Sequence, residues 1–215
     1  MSILTQARFP RLWVVFQYTI GGTTDKQRLC LEGYEGQRRV LEVGCSAGNI
    51  ADAFRRVDGV NYVGVDIDPA AIALAKKRFA GKANFRFVCQ DFLEFVRGPE
   101  RFDYILFAGV CHHMPDSQCA EMLDAASAAM AEGARLVVVD PLVPEAEDSW
   151  FLHTFVKLEQ GKHLRTGKEL ETLLRGLRAF EVREARMRYV NATPLSFPRC
   201  ARFGVYVLEK RKGSA

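Results

Sequence analysis

The stretch Val40–Ile50, VLEVGCSAGNI, runs from β-forming residues through a glycine-rich turn into the start of a helix. It sets an acid, Glu42, among apolar strand residues, and its glycines, Gly44 and Gly48, enclose Cys45-Ser46-Ala47. Glycines at a strand-to-helix turn adopt dihedrals closed to other residues and let a ligand come close to the backbone. The stretch therefore points to a nucleotide-like ligand. Pyrophosphate fits poorly, because a dinucleotide fingerprint needs G-x-G-x-x-G and a phosphate-binding loop needs a following lysine. Neither occurs at this spacing.

On the C-terminal side of this stretch, apolar runs alternate with helical patterns. Ile50, Ala53, Phe54 and Val57 mark one helix face. NYVGVDID (61–68) reads as a strand, and Asp68-Pro69 supplies an N-cap and first-turn proline for a helix carrying Ile72, Ala75 and Phe79. NFRFVCQD (84–91) and FDYILFAG (102–109) are the next strands. Cys119, Met122, Leu123, Ala126 and Met130 form the stripe of a further helix that Gly133 is expected to stop, ahead of the strand ARLVVVDP (134–141). Strands apolar on both faces and alternating with helices imply a doubly wound α/β fold with a mostly parallel sheet. Past Pro141 the rhythm breaks. A capping box, Thr166 with Glu169, opens a helix with Leu170, Leu173 and Leu174, and two strands, Phe180–Val190 and Arg202–Leu208, follow without a helix between them. They are expected to pair antiparallel at the end of the sheet.

The chain has 215 residues, 48% of them apolar, which suits one sizeable domain with its own core. Its net charge of +4 is mildly basic, with the excess gathered in Arg183, Arg186, Arg188, Arg199, Arg202, Lys210, Arg211 and Lys212. Such a run reads as a solvated strand face and tail rather than a nucleic-acid footprint. The six cysteines lack paired C-x-x-C spacing, so neither a metal site nor a disulfide framework is expected, and a cytoplasmic setting is. Near the N-terminus, Arg8 and Arg11 interrupt the apolar residues, so no membrane span is expected there.

Glu42-Val43-Gly44-Cys45-Ser46-Ala47-Gly48 resembles the first motif of class I S-adenosylmethionine-dependent methyltransferases, D/E-x-G-x-G-x-G, with Ser46 in place of the middle glycine. The resemblance implies a seven-stranded Rossmann-like methyltransferase fold with an antiparallel C-terminal hairpin and S-adenosylmethionine as cofactor. Glu42, Gly44, Cys45, Ser46 and Gly48 would then hold the cofactor's amino-acid moiety. Asp66, ending the second strand, would accept the ribose hydroxyls, with Ile67 over the adenine. In Gln90-Asp91-Phe92, Asp91 would take the adenine amino group and Phe92 would offer its amide or ring. Phe107, near the end of the fourth strand, is placed with the cofactor residues. These acids fall at the carboxyl edge of the sheet, where open α/β folds bind ligands.

LFAGVCHHMPDSQC (106–119) resembles the VLHHL-D segment of small methyltransferases and a CHDWSDEHC segment of O-methyltransferases in which the first histidine is the general base. His112 falls on that histidine. It reads as a base for a hydroxyl acceptor or as pocket lining, with His113 on the acceptor side and Cys111 lining the pocket. Acceptor selection is expected from the N-terminal region (residues 1–38), through Trp13 and Tyr18, and from a lid-like insert (142–165), through Trp150 and His153. Their mix of aromatic and cationic residues suits a small, aromatic or anionic acceptor. The reading is O-methylation of a small molecule, with N- and C-methylation open and a monomer or homodimer expected. Two alternatives stay open: an RNA methyltransferase, although the Asn/Asp-Pro-Pro-Tyr type motif is missing after the fourth strand, and a cofactor-binding protein of this fold without transfer activity.

Overall fold

A computed structural model describes residues 22–158, 161–192 and 199–211. Its strands are β1 (Arg39–Val43), β2 (Asn61–Asp66), β3 (Phe85–Cys89), β4 (Phe102–Ala108), β5 (Met130–Leu142), β6 (Phe180–Asn191) and β7 (Arg199–Lys210). They form a seven-stranded sheet in the order β3-β2-β1-β4-β5-β7-β6. The first five are parallel to one another, and β7 lies antiparallel between β5 and β6. The C-terminal pair is thus antiparallel, as expected, with the last strand inside and β6 at the edge. Strand order reverses between β1 and β4, the switch point outside which open sheets leave a crevice.

The helices are α1 (Thr23–Leu31), α2 (Ala51–Phe54), α3 (Pro69–Arg78), α4 (Phe92–Phe95), α5 (Asp116–Ala126), α6 (Trp150–Phe155) and α7 (Gly167–Arg175). Side chains alternate across each strand, so one strand feeds two cores. In β4, Ile105 and Phe107 join Leu41, Leu136 and Leu123 on one face, while Tyr104 and Leu106 join Val40, Val137 and Phe54 on the other. The Tyr104 hydroxyl donates to the Cys30 carbonyl at 2.6 Å and so pins α1 to the sheet.

The capped helices begin where the sequence places them. The Asp68 carboxylate accepts the Ala70 and Ala71 amides ahead of α3, and Thr166 with Glu169 forms a full capping box ahead of α7. Two boundaries differ. The helix following Gly48 is the four-residue α2, shorter than the Ile50–Val57 pattern. Gly133 does not stop α5, which ends at Ala126, but lies within β5 at φ 69°. There Phe102 pairs with Met130 and Tyr104 already with Arg135, so β5 bulges at Gly133. Met130 is buried from a strand rather than a helix. Among the described residues, no helix is long and apolar enough to cross a membrane.

Candidate active site

A cavity of about 570 Å³ opens at the carboxyl ends of β1, β2 and β4 and takes in Glu42, Asp66, Ile67, Asp91 and His112 along its walls. Its floor is the Gly44–Gly48 turn. The Gly44 and Cys45 amides donate to the Val65 carbonyl at 2.8 and 3.1 Å, closing the turn onto the neighbouring strand. At Gly48, φ is +75° and a Cβ would stand 3.0 Å from the Phe79 ring, so both backbone and packing require glycine. Gly48 therefore supports the turn from below and is not among the residues lining the cavity. Ser46 replaces a glycine of the usual motif and still takes φ 49°, the one positive φ at a non-glycine among the described residues. Such a left-handed conformation costs roughly 1–2 kcal/mol for a residue bearing a Cβ.

Asp66 explains why that conformation is held. One of its oxygens accepts the Ser46 amide at 2.7 Å and the other the Asp68 amide at 2.9 Å. One carboxylate thus ties the turn after β1 to the turn after β2. Each oxygen keeps further acceptor capacity toward the cavity. Glu42 is only 2% exposed and accepts the Tyr62 hydroxyl. Burial, and then the charge of Asp66, push its carboxyl well above the usual range. A cationic ligand group beside Glu42 would relieve both effects.

On the far wall, Ile67 is 72% exposed, an apolar surface beside the Asp66 carboxylate. Asp91 lines the cavity while one of its oxygens caps α4, accepting the Leu93 and Glu94 amides at 2.8 and 3.2 Å. Phe92 also lines it, and Phe107 stacks edge-on behind Phe92 with centroids 5.6 Å apart. Phe107 is fully buried in the core behind Phe92 and is not among the residues that line the cavity.

After β4 the chain makes one 3-10 turn, Cys111–His113. His112 is 3% exposed, and its Nδ1 lies 3.1 Å from an Asp140 oxygen that also accepts the Cys111 amide at 3.1 Å. Because an ionised carboxylate can only accept, this contact calls for a proton on Nδ1. The His113 ring, 4.1 Å from that of His112, lines the cavity too. The Cys111 thiol is hydrogen-bonded to Cys119 and buried, and these hold it well above the ordinary thiol range, against a nucleophilic role.

The insert residues fall elsewhere. Trp150 is 76% exposed on α6, and His153 Nε2 is 3.1 Å from the Glu145 carbonyl; neither lines the cavity. α6 packs on β7 through its buried Leu152, which turns Trp150 outward. Trp13 and Tyr18 lie outside the described residues. Sequence reading did not single out Asp140, nor Lys26 and Phe203, which line the cavity with the Lys26 ammonium 5.6 Å from the Phe203 ring centre. Asp140 carried the same signal as Glu42, a lone acid in an apolar strand.

A family profile described as a methyltransferase domain matches residues 23–182. The ubiquinone biosynthesis O-methyltransferase of Coxiella burnetii is 30% identical over 112 residues, covering 52% of this chain and 45% of the relative. The protein of the same name from Rhodopseudomonas palustris is 33% identical over 104 residues, covering 46% and 39%. The matches span less than half the length of these relatives. Among solved structures, the mitomycin 7-O-methyltransferase MmcR superposes with a TM-score of 0.68 at 20% identity, covering 89% of this chain and 54% of that one. The Burkholderia thailandensis 1,6-didemethyltoxoflavin-N1-methyltransferase, solved with its acceptor and S-adenosylhomocysteine, gives 0.66 at 19%, covering 94% and 82%. At these identities the likeness is one of fold.

Proposed function

The chain belongs to the methyltransferase-domain family, and from that premise we propose that it transfers the methyl group of S-adenosylmethionine to a hydroxyl of a small acceptor, with His112 as general base. The observation that carries this reading is the buried His112–Asp140 pair opening on the same cavity as Glu42 and Asp66. The residues present suit the cofactor. Glu42 is a desolvated carboxyl whose ionised form an ammonium group would favour, Asp66 presents two acceptors to a ribose diol, and exposed Ile67 with Asp91 offers an apolar face and an acceptor to adenine.

The bound sulfonium supplies an already activated methyl group, so the protein's work is positioning and proton removal. The His112 imidazole would take the proton that the acceptor hydroxyl loses on methylation. Asp140 fixes the tautomer beforehand and stabilises the imidazolium afterwards. A free hydroxyl is a weak nucleophile near neutral pH, which is why a paired, buried imidazole favours O-methylation over transfer to an amine. The O-methyltransferase names of the relatives point the same way. Within one methyltransferase domain, Thr23 and Lys26 of the N-terminal region line the cavity, whereas Trp150 and His153 of the insert do not. All six cysteines are free, which fits a cytoplasmic setting.

RNA is the weaker acceptor because several of the C-terminal cations are already paired: Arg183 with Glu181 and Glu209, Arg186 with Glu184 and Glu32, and Arg202 with Glu145. The test is a panel of hydroxylated aromatic acceptors with wild type, His112→Gln and Asp140→Asn. Both variants are expected to bind S-adenosylhomocysteine as wild type does while losing roughly 10²–10⁴ in rate. The wild-type rate falls at acid pH as the imidazole protonates, and this limb disappears in His112→Gln. A modest loss with the acid limb retained removes His112 as the base.

A further inference from the structure

We propose that the strap Gly161–Arg165 is the positioning element of the His112–Asp140 pair, with Arg165 as the residue that locks it. This rests on the reading of His112 as the base. The turn carrying His112 has little of its own to hold it: the His113 amide donates to the Val110 carbonyl at 3.1 Å and the Met114 amide to the Cys111 carbonyl at 3.2 Å. A single 3-10 turn with such bonds is weak by itself.

The strap supplies the rest. The His163 amide donates to the His112 carbonyl at 2.9 Å. The Arg165 guanidinium, 6% exposed, donates to the Cys111 carbonyl at 2.9 Å and to the Met114 carbonyl at 2.8 Å, one on either side of the His112-His113 pair. Its Nε reaches Asp116, the first residue of α5, at 2.8 Å. The other end of the clamp is the strand that bears the partner carboxylate. The Val143 amide donates to the Arg165 carbonyl at 2.9 Å, and Leu142 bridges to Arg165, two residues beyond Asp140. One residue therefore joins the backbone of the base to the strand of its acid.

Gly161 completes the arrangement. A Cβ there would stand 1.9 Å from His112 Cδ2 and 2.7 Å from the His112 carbonyl, so the strap backbone lies against the imidazole and leaves room for no side chain. The ring is bounded by Gly161 and held at Nδ1 by Asp140, so strap and acid together fix its plane. The planar fork of arginine spans carbonyls and a carboxylate together, a geometry that lysine cannot reproduce. Misplacement of about 1 Å in such a group can lower a rate by about 10².

The test reads His112 directly and needs no acceptor. Protein labelled with ¹⁵N-histidine and saturated with S-adenosylhomocysteine is examined by two-bond ¹H–¹⁵N NMR, with the His112 signals assigned by their loss in His112→Gln. Wild type is expected to show one tautomer with Nδ1 protonated. Arg165→Met and Gly161→Ala are expected to show mixed tautomers or broadened His112 signals with S-adenosylhomocysteine affinity unchanged. Thr166→Ala, which removes the neighbouring helix cap, is expected to lower the melting temperature without moving them. A wild-type His112 spectrum in folded Arg165→Met overturns the role of Arg165. Should that variant fail to fold, an unchanged spectrum in Gly161→Ala overturns the strap. A wild-type protein protonated at Nε2 overturns the base reading, and the strap's role with it.

Discussion

Glu42 is the residue whose charge the fold perturbs in a way that can be measured without substrate. Burial and the neighbouring Asp66 raise its pKa, so the folded protein keeps a proton that the unfolded chain releases. The sign follows from linkage: where the native state binds more protons, stability falls as pH rises, from the ordinary glutamate range up to the raised value. Glu42→Gln removes this burden. Its ligand-free melting temperature is expected to exceed that of wild type by a margin that widens with pH across that window, and parallel curves would contradict the assignment. Glu42 was legible in the sequence because it broke an apolar strand beside a glycine turn. Asp140 broke its strand in the same way and was passed over, because its meaning depends on a turn 28 residues away across the sheet. Phe107 is the converse case: its place in the chain is close to the cavity, but it is buried in the core, edge-on against Phe92, which itself lines the cavity.

At the scale of elements, two acids in one turn divide between function and structure. Asp66 faces the cavity and ties two turns together, whereas Asp68 caps α3. Asp66→Ala is expected to weaken S-adenosylhomocysteine binding by roughly 1.5–3 kcal/mol, the worth of hydrogen bonds to a charged group. Asp68→Ala is expected to lower stability by about 1 kcal/mol, as loss of an N-cap does, with binding unchanged. Calorimetry and denaturant unfolding on both variants separate the roles, and an exchange of the two phenotypes would reverse them. Helices α3 and α7 were readable because their caps are local chemistry, side chain to backbone within one turn. The end of α5 was not, because a glycine at positive φ serves equally as a helix stop and as a strand bulge. Only pairing with β4 decides between them at Gly133.

For the molecule as a whole, the parallel strands put every carboxyl end at one edge of the sheet, and the cavity with it. β7 runs the opposite way, Glu209 pairing with Arg135 at the amino end of β5's inner run, so Lys210 and Arg211 lie at the opposite edge. Lys210→Glu with Arg211→Glu should therefore leave turnover nearly unchanged, since charges far from the cavity act only through a screened field. Salt-sensitive RNA binding lost in that double variant would favour the RNA reading instead. The alternation of strand and helix made this architecture legible, and the order of the acids pointed to the edge where the cavity opens. The insert was not legible in the same way: Trp150 and His153 have the composition of acceptor-binding residues, yet α6 packs through Leu152 and turns them away. The central claim, that this edge holds S-adenosylmethionine or its product, is tested most directly by calorimetric titration of the folded wild-type protein with S-adenosylhomocysteine and, separately, with NAD. The account predicts saturable S-adenosylhomocysteine binding, one per chain, with NAD far weaker; NAD binding as tight or tighter, or no S-adenosylhomocysteine binding at all, would contradict it.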